Sequence, residues 1–400
     1  MVKTIFPTPL AESCSWDLDL MYRTAKAAAI EASASGIHWT FAPMVDLARD
    51  PRWGRIVEGA GEDPFLGCKV AEARVKGFQW NLGKPNSVLA CAKHFAAYGA
   101  PQAGRDYASV DLAPSTLAEM YLPPYKACID AGVQTFMSAF NDVNGEPASG
   151  SHWLLTQLLR DQWKFKGFVV SDWNAVVQLK TQGVTADDKG AAIMALNAGL
   201  DMDMVDGLYN EHIAEAVKKG LVSEATVNAS VERILRQKYR LGLFDDAYAF
   251  LDEAREQQTV KSAELMALAR EAATKSMVLL KNKDALLPLS KNIKRIAVVG
   301  PLADNRAEVL GSWKARGEDA DVITVVQGLR NKLGAATEVV YVRGCDFLDT
   351  KTNEFAQARQ AAANADVVAR AVAVPSCRCL VCNSNLSIRL KRLVNRLLRC

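Results

Sequence analysis

A repeated exchange of strand-like and helix-like segments decides what this chain can fold into. Apolar runs rich in β-branched and aromatic residues stand at 36–43 ("GIHWTFAP"), 87–99 ("SVLACAKHFAAYG"), 133–140 ("VQTFMSAF"), 166–172 ("KGFVVSD") and 200–205 ("LDMDMV"). Segments with helical periodicity separate them, at 69–80, 113–132, 151–163 and 188–199, and two further helices run to about Gly242. Strand–helix alternation on this scale argues for a parallel α/β architecture. The length suits most of a (β/α)₈ barrel of the TIM type. Near 245 the chain turns polar, then resumes with "IKRIAVVGP" (293–301), "ITVVQGLRNKLG", "TEVVYVRG" and "EFAQARQAAANADVVARAVAV". That pattern predicts the start of a second, doubly wound domain.

In a parallel barrel every strand points its C-terminal end at one face, where the chemistry gathers. The residues that follow the predicted strands here are unusually polar. "MVDLARDPRWGRIVEGAGEDP" follows the first, Lys93 and His94 end the second, "NDVNG" follows the third and Asp172 the fourth. A carboxylate, a guanidinium, an ammonium and an imidazole thus converge on one rim. With flanking aromatics such as Trp53 and Trp173, such a set suits a sugar, which needs hydrogen bonds to its hydroxyls and a flat apolar platform. Each residue also has a plainer reading. Asp172 can cap a helix, Lys93 and His94 can be a solvated loop pair, and Arg55 can pair with Glu58 or Glu62.

Composition narrows the partners. A net charge of +3 gives no reason to expect nucleic acid or an anionic membrane. No apolar run reaches the length of a membrane span, and "MVKTIFPTPLAESCSWD" has one Lys but no apolar core of a signal peptide. Cys14, Cys68, Cys91, Cys128 and Cys345 are scattered singly, as buried apolar thiols are. Cys377, Cys379, Cys382 and Cys400 crowd a tail that, from Val367 on, holds no Asp or Glu and seven Arg or Lys. Its C-x-C-x-x-C spacing fits no common zinc-ligand pattern. A shifted reading frame or cloning scar is the reading preferred for this tail.

Three long motifs in order, "DPRWGRIVEGAGEDPFL", "AKHFAAYG" and "KGFVVSDWNAV", resemble glycoside hydrolase family 3, in particular its bacterial β-glucosidases. The resemblance runs from about Thr4 to Val368. It takes in "MVLLKNKDALLPL" (277–289) and "IAVVGPLADNRAEVLGSW" (296–313). It implies a retaining, exo-acting hydrolase of β-glycosides, releasing terminal glucose, with Asp172 as nucleophile. It places Arg55, Lys93 and His94 on sugar hydroxyls and Trp173 on the aglycone side, with Met137 and Phe140 also lining the substrate. At Phe140 many members have a Tyr. The implied substrate is a β-glucoside or small oligosaccharide, with no cofactor or metal, and the implied location is periplasmic or extracellular.

The resemblance also shapes the expected domains. Residues 1–245 correspond to the barrel without its first strands, 246–275 to a linker and helix, and 276–372 to the start of an α/β sandwich domain. Residues 373–400 form the basic, Cys-rich tail. The family's usual acid/base Glu would follow a strand like "ADVVARAVAV", where this chain has its acid-free tail, so no residue here is assigned that role. A β-xylosidase is the alternative within the family. The N-acetylglucosaminidase type is disfavoured because "KHFAAYGAPQAGRDY" lacks a second His. A non-catalytic fragment that at most binds sugar is the alternative from another class.

Overall fold

The computed structural model describes residues 3–311, 313–346, 354–372 and 385–390. The tail cysteines lie outside them. The chain divides into one compact unit spanning Phe6–Met277 and a second built from Val278 onward together with the first five residues.

The first unit is organised by helices α1 (Leu18–Ala34) and α2 (Pro64–Phe78) and by a parallel sheet. Asp17 and Asp63 start these helices by accepting the backbone N–H groups of Leu20 (2.9 Å) and Leu66 (2.7 Å). Such caps satisfy donors that the first turn leaves free. Gly77 lets the helices cross closely, because a Cβ there would stand 2.5 Å from the Tyr22 carbonyl oxygen.

The sheet has the order β1 (Cys91–Phe95), β2 (Thr135–Ser138), β3 (Phe168–Val170), all parallel. The segment at 36–43, expected as a strand, runs parallel to 89–93 and exchanges backbone hydrogen bonds with it (Leu89 to His38, Thr40 to Leu89, Cys91 to Ala42), but as isolated bridges at Trp39 and, just beyond, Met44 rather than as a regular strand. The expected strand at 200–205 is likewise one bridge, Val170 to Met202. The five segments follow the predicted order and direction, as expected of a barrel without its first strands, but among the described residues only three of them pair as one sheet and a barrel is not shown.

Two helices also differ from expectation. The stretch 113–132 breaks at Pro123, where a missing N–H ends one helical run and starts α3 (Pro123–Asp130). Before the break the coil widens, so that Leu122 donates to the Leu117 carbonyl five residues back at 3.0 Å. The helix over Trp153–Gln162 is wide in the same way. The polar stretch after 245, read as a linker, packs back on the first unit. Phe250 is buried, Arg23 holds Glu271 at 2.8 Å, and Lys275 holds Asp17 at 2.7 Å.

The second unit is a four-stranded sheet. Its order is β5 (Glu338–Val342), β4 (Arg295–Val299), β6 (Val367–Val372) and β7 (Asn385–Leu390). β4 pairs parallel with β5 and β6, whereas β7 lies antiparallel along β6. Ile296, Val298, Val326, Val367 and Ala369 form its core. No described helix is long and apolar enough to cross a membrane. Of the described cysteines, Cys91 and Cys128 are buried as expected, but Cys14 is exposed.

Candidate active site

At the C-terminal end of the sheet a fully buried imidazole links two carboxylates. His94, near the end of β1, is 0 % exposed. Its Nδ1 lies 2.7 Å from Asp46 Oδ2, and the same oxygen accepts the His94 backbone N–H at 2.9 Å. Asp46 follows the bridged segment that flanks β1. Its other oxygen accepts from the Tyr125 hydroxyl at 2.5 Å. That hydroxyl also lies 2.6 Å from the His94 carbonyl oxygen. Burial first, and then Asp46, push the Tyr125 phenol well above its ordinary range, so it remains a donor.

Held by Asp46, the ring presents Nε2 to the rim. Asp172 Oδ2 lies 3.2 Å away, and so does Arg55 Nη2. Nε2 can accept from the guanidinium or, carrying a second proton, donate to the carboxylate, but not both at once. Asp172 sits just past β3, 14 % exposed at its side chain, and its Oδ1 accepts the Trp173 backbone N–H at 2.6 Å. Burial alone would raise its pKa. The His94 bond and charge, the Trp173 N–H and the charge of Lys93 outweigh it, and the carboxyl is held below its usual range. Lys93 is half-buried and forms no ion pair among the described residues.

Arg55 does pair with Glu58, as its plainer reading supposed, at 2.8 and 3.0 Å. It reaches His94 from that brace, and its guanidinium lies over the Tyr98 ring, 5.4 Å from the centroid. Burial works against its charge, and Glu58 more than restores it, so its pKa is raised. His94 is no solvated loop residue. Tyr98 forms a floor, meeting His94 at 5.1 Å and Trp53 at 5.2 Å edge to face. Phe140 is buried behind the site, 6.2 Å from the His94 ring.

The structure therefore brings Arg55, Lys93, His94, Phe140, Asp172 and Trp173 together. It does not bring in Met137, which is 2 % exposed in an apolar cluster with Cys91, Phe168 and Val170 and serves packing. Trp53 is buried and so offers no platform. Its Nε1 donates to Asp106 at 2.8 Å. Trp173, 61 % exposed, is open to a ligand. Sequence reading missed Asp46, Tyr98, Tyr107 and Tyr125. Asp46 lay in the polar run after the first strand, but nothing in that run singled it out from Asp50 or Glu58.

A buried imidazole tying a carboxylate to a guanidinium at the open end of a parallel α/β sheet defines a polar-ligand site. Residues 1–237 match the glycosyl hydrolase family 3 N-terminal domain, and residues 277–379 its C-terminal domain. The chain belongs to glycosyl hydrolase family 3. The periplasmic beta-glucosidase of Salmonella typhimurium is 41 % identical over 353 residues, 87 % of this chain and 46 % of that protein. A beta-xylosidase of Formosa agariphila is 35 % identical over 385 residues, 91 % of this chain and 53 % of that protein. The crystal structure of a beta-glucosidase from Listeria innocua in complex with glucose matches with a TM-score of 0.88 at 40 % identity. That match covers 93 % of this chain and 51 % of the other. The chain spans about half the length of the relatives it matches.

Proposed function

We propose that this chain carries the sugar-attacking half of a retaining β-glycosidase, and that the whole protein is a β-glucosidase. The observation that supports this reading most is the Asp172 carboxylate, kept ionised within 3.2 Å of a buried imidazole. Asp172 attacks the anomeric carbon as the bond to the leaving oxygen breaks, and that oxygen takes up a proton. Water then attacks the same carbon, gives up a proton, and frees the sugar and the carboxylate. Arg55, Lys93 and His94 bind the hydroxyls of the sugar ring, and Trp173 contacts the leaving group. No residue of this chain is assigned as the general acid.

The arc of five parallel segments is, on this reading, part of a (β/α)₈ barrel, with the second unit the start of an α/β sandwich domain. The substrate is a terminal β-glucoside or small oligosaccharide. The periplasm is the proposed location, on the strength of the Salmonella relative. A β-xylosidase remains the second reading, because xylosidase relatives cover as much of the chain as the glucosidase does. The discriminating experiment is labelling by 2-fluoro-glucosyl and 2-fluoro-xylosyl inhibitors followed by peptide mass spectrometry. Label on Asp172 from the glucosyl reagent supports the proposal, and label on another residue refutes it.

A further inference from the structure

Tyr107 stands on the rim in an arrangement that packing alone does not account for. The residue is 54 % exposed. Its backbone is left-handed, at φ 65, a conformation that a bulky residue adopts only under constraint. The constraint is visible. Asp106, just before it, is pinned by the Trp53 indole at 2.8 Å. The loop is closed by the Gln102 N–H on the Ser109 carbonyl at 3.1 Å. These anchors hold the Tyr107 ring against Phe140, centroids 4.7 Å apart, and near Tyr98 at 6.2 Å. Its hydroxyl makes no hydrogen bond among the described residues. Burial first, then Asp106, raise its pKa against the pull of Arg55, and Asp172 adds to the rise, so the phenol lies in the field of the site. Strain that surrounding structure imposes on an exposed side chain at a site is a sign of use.

We propose that Tyr107 is a substrate-contacting residue that forms a wall for the second ring of a disaccharide. This inference rests on the sugar-site reading above. The groups that take the first ring, Arg55, His94 and Asp172, are largely buried. A ring held by them lies deep, and the ring beyond it meets what stands outward. Phe140 fills the depth behind Tyr107 and leaves the phenol face and hydroxyl open. An aromatic face takes the C–H side of a pyranose, and the free hydroxyl offers a donor and an acceptor.

The test is calorimetric titration of an Asp172→Asn protein with laminaribiose and with glucose, with and without a second substitution at Tyr107. Tyr107→Ala is expected to weaken laminaribiose about threefold to tenfold and to leave glucose within about twofold. Tyr107→Gly relaxes the left-handed residue and is expected to raise the melting temperature while weakening laminaribiose. A merely structural Tyr107 predicts the reverse, a lower melting temperature. Equal weakening of both sugars, or of neither, overturns the inference and leaves the site reading standing. If the Asp172→Asn protein binds neither sugar, both fall together.

Discussion

Asp46 is the residue on which the site's electrostatics turn. It receives the His94 ring, the His94 N–H and the Tyr125 hydroxyl, which orients the ring and favours the tautomer that carries its proton on Nδ1. Asp46→Asn keeps the shape but puts an N–H or a weaker acceptor where a carboxylate stood. A buried bond to a charged group is worth about 1.5–3 kcal/mol, so kcat/KM should fall about 10- to 100-fold. Because Asp46 acts through His94, the loss should come mainly in kcat and be accompanied by a changed pH profile. A fall in melting temperature with unchanged kinetics in the folded fraction would show that Asp46 only supports the fold. Asp172 gives a second expectation. Its folded pKa lies below the unfolded value, so it stabilises above about pH 4, and that contribution disappears as pH falls through the folded value. The stability of wild type relative to Asp172→Asn should therefore decline on acidification below about pH 5. A difference that grows on acidification would contradict the assigned ionisation.

Elements were legible where a single strong signal set them. The apolar runs located β1, β2 and β3, whereas α1 was not foreseen and α2 starts at Pro64 rather than at 69, although Asp17 and Asp63 stand at their N-caps. Of the polar residues after the strands, Arg55, Lys93, His94 and Asp172 lie together at one end of the sheet, the end to which parallel strands all point. What escaped the sequence depended on contacts between distant segments. Whether 36–43 forms a ladder or a bridge depends on neighbours it meets only in the fold, and Met137 differs from Phe140 by facing a cluster rather than the rim. Pro123 was visible, yet the long helical periodicity around it outweighed the break. Gly77 is a further case. In an exposed helix Gly→Ala gains about 1 kcal/mol, but here the new Cβ would also lie 2.7 Å from the Ala25 Cβ. Gly77→Ala should instead destabilise by about 2 kcal/mol, in the range for overpacking. Chemical denaturation measures it, and a gain in stability would mean that α1 and α2 do not cross this closely.

At the scale of the whole molecule, what decides activity is where a leaving oxygen finds its proton. Of the carboxylates near the site, three besides Asp172 are each held by a donor. Asp46 takes the His94 ring, Glu58 takes Arg55, and Asp106 takes the Trp53 indole. Bound in this way they are acceptors, poorly placed to deliver a proton. Asp172 itself is held ionised. On the proposed reading these groups hold and attack a sugar but give little help to an alkoxide as it departs. General acid catalysis typically contributes about 10² to 10⁴ in rate. A dinitrophenolate leaves without that help, whereas the sugar hydroxyl of cellobiose does not. The purified 400-residue chain should accordingly prefer dinitrophenyl β-glucoside over cellobiose by at least about a hundredfold in kcat/KM. The attack step should then be steeply sensitive to the leaving-group pKa across a series of aryl glucosides. A flat series with brisk cellobiose turnover would mean that one of these carboxylates, or another group, delivers the proton after all. Asp46→Asn, Glu58→Gln and Asp106→Asn would then identify which, since only the true donor's loss would restore the steep dependence.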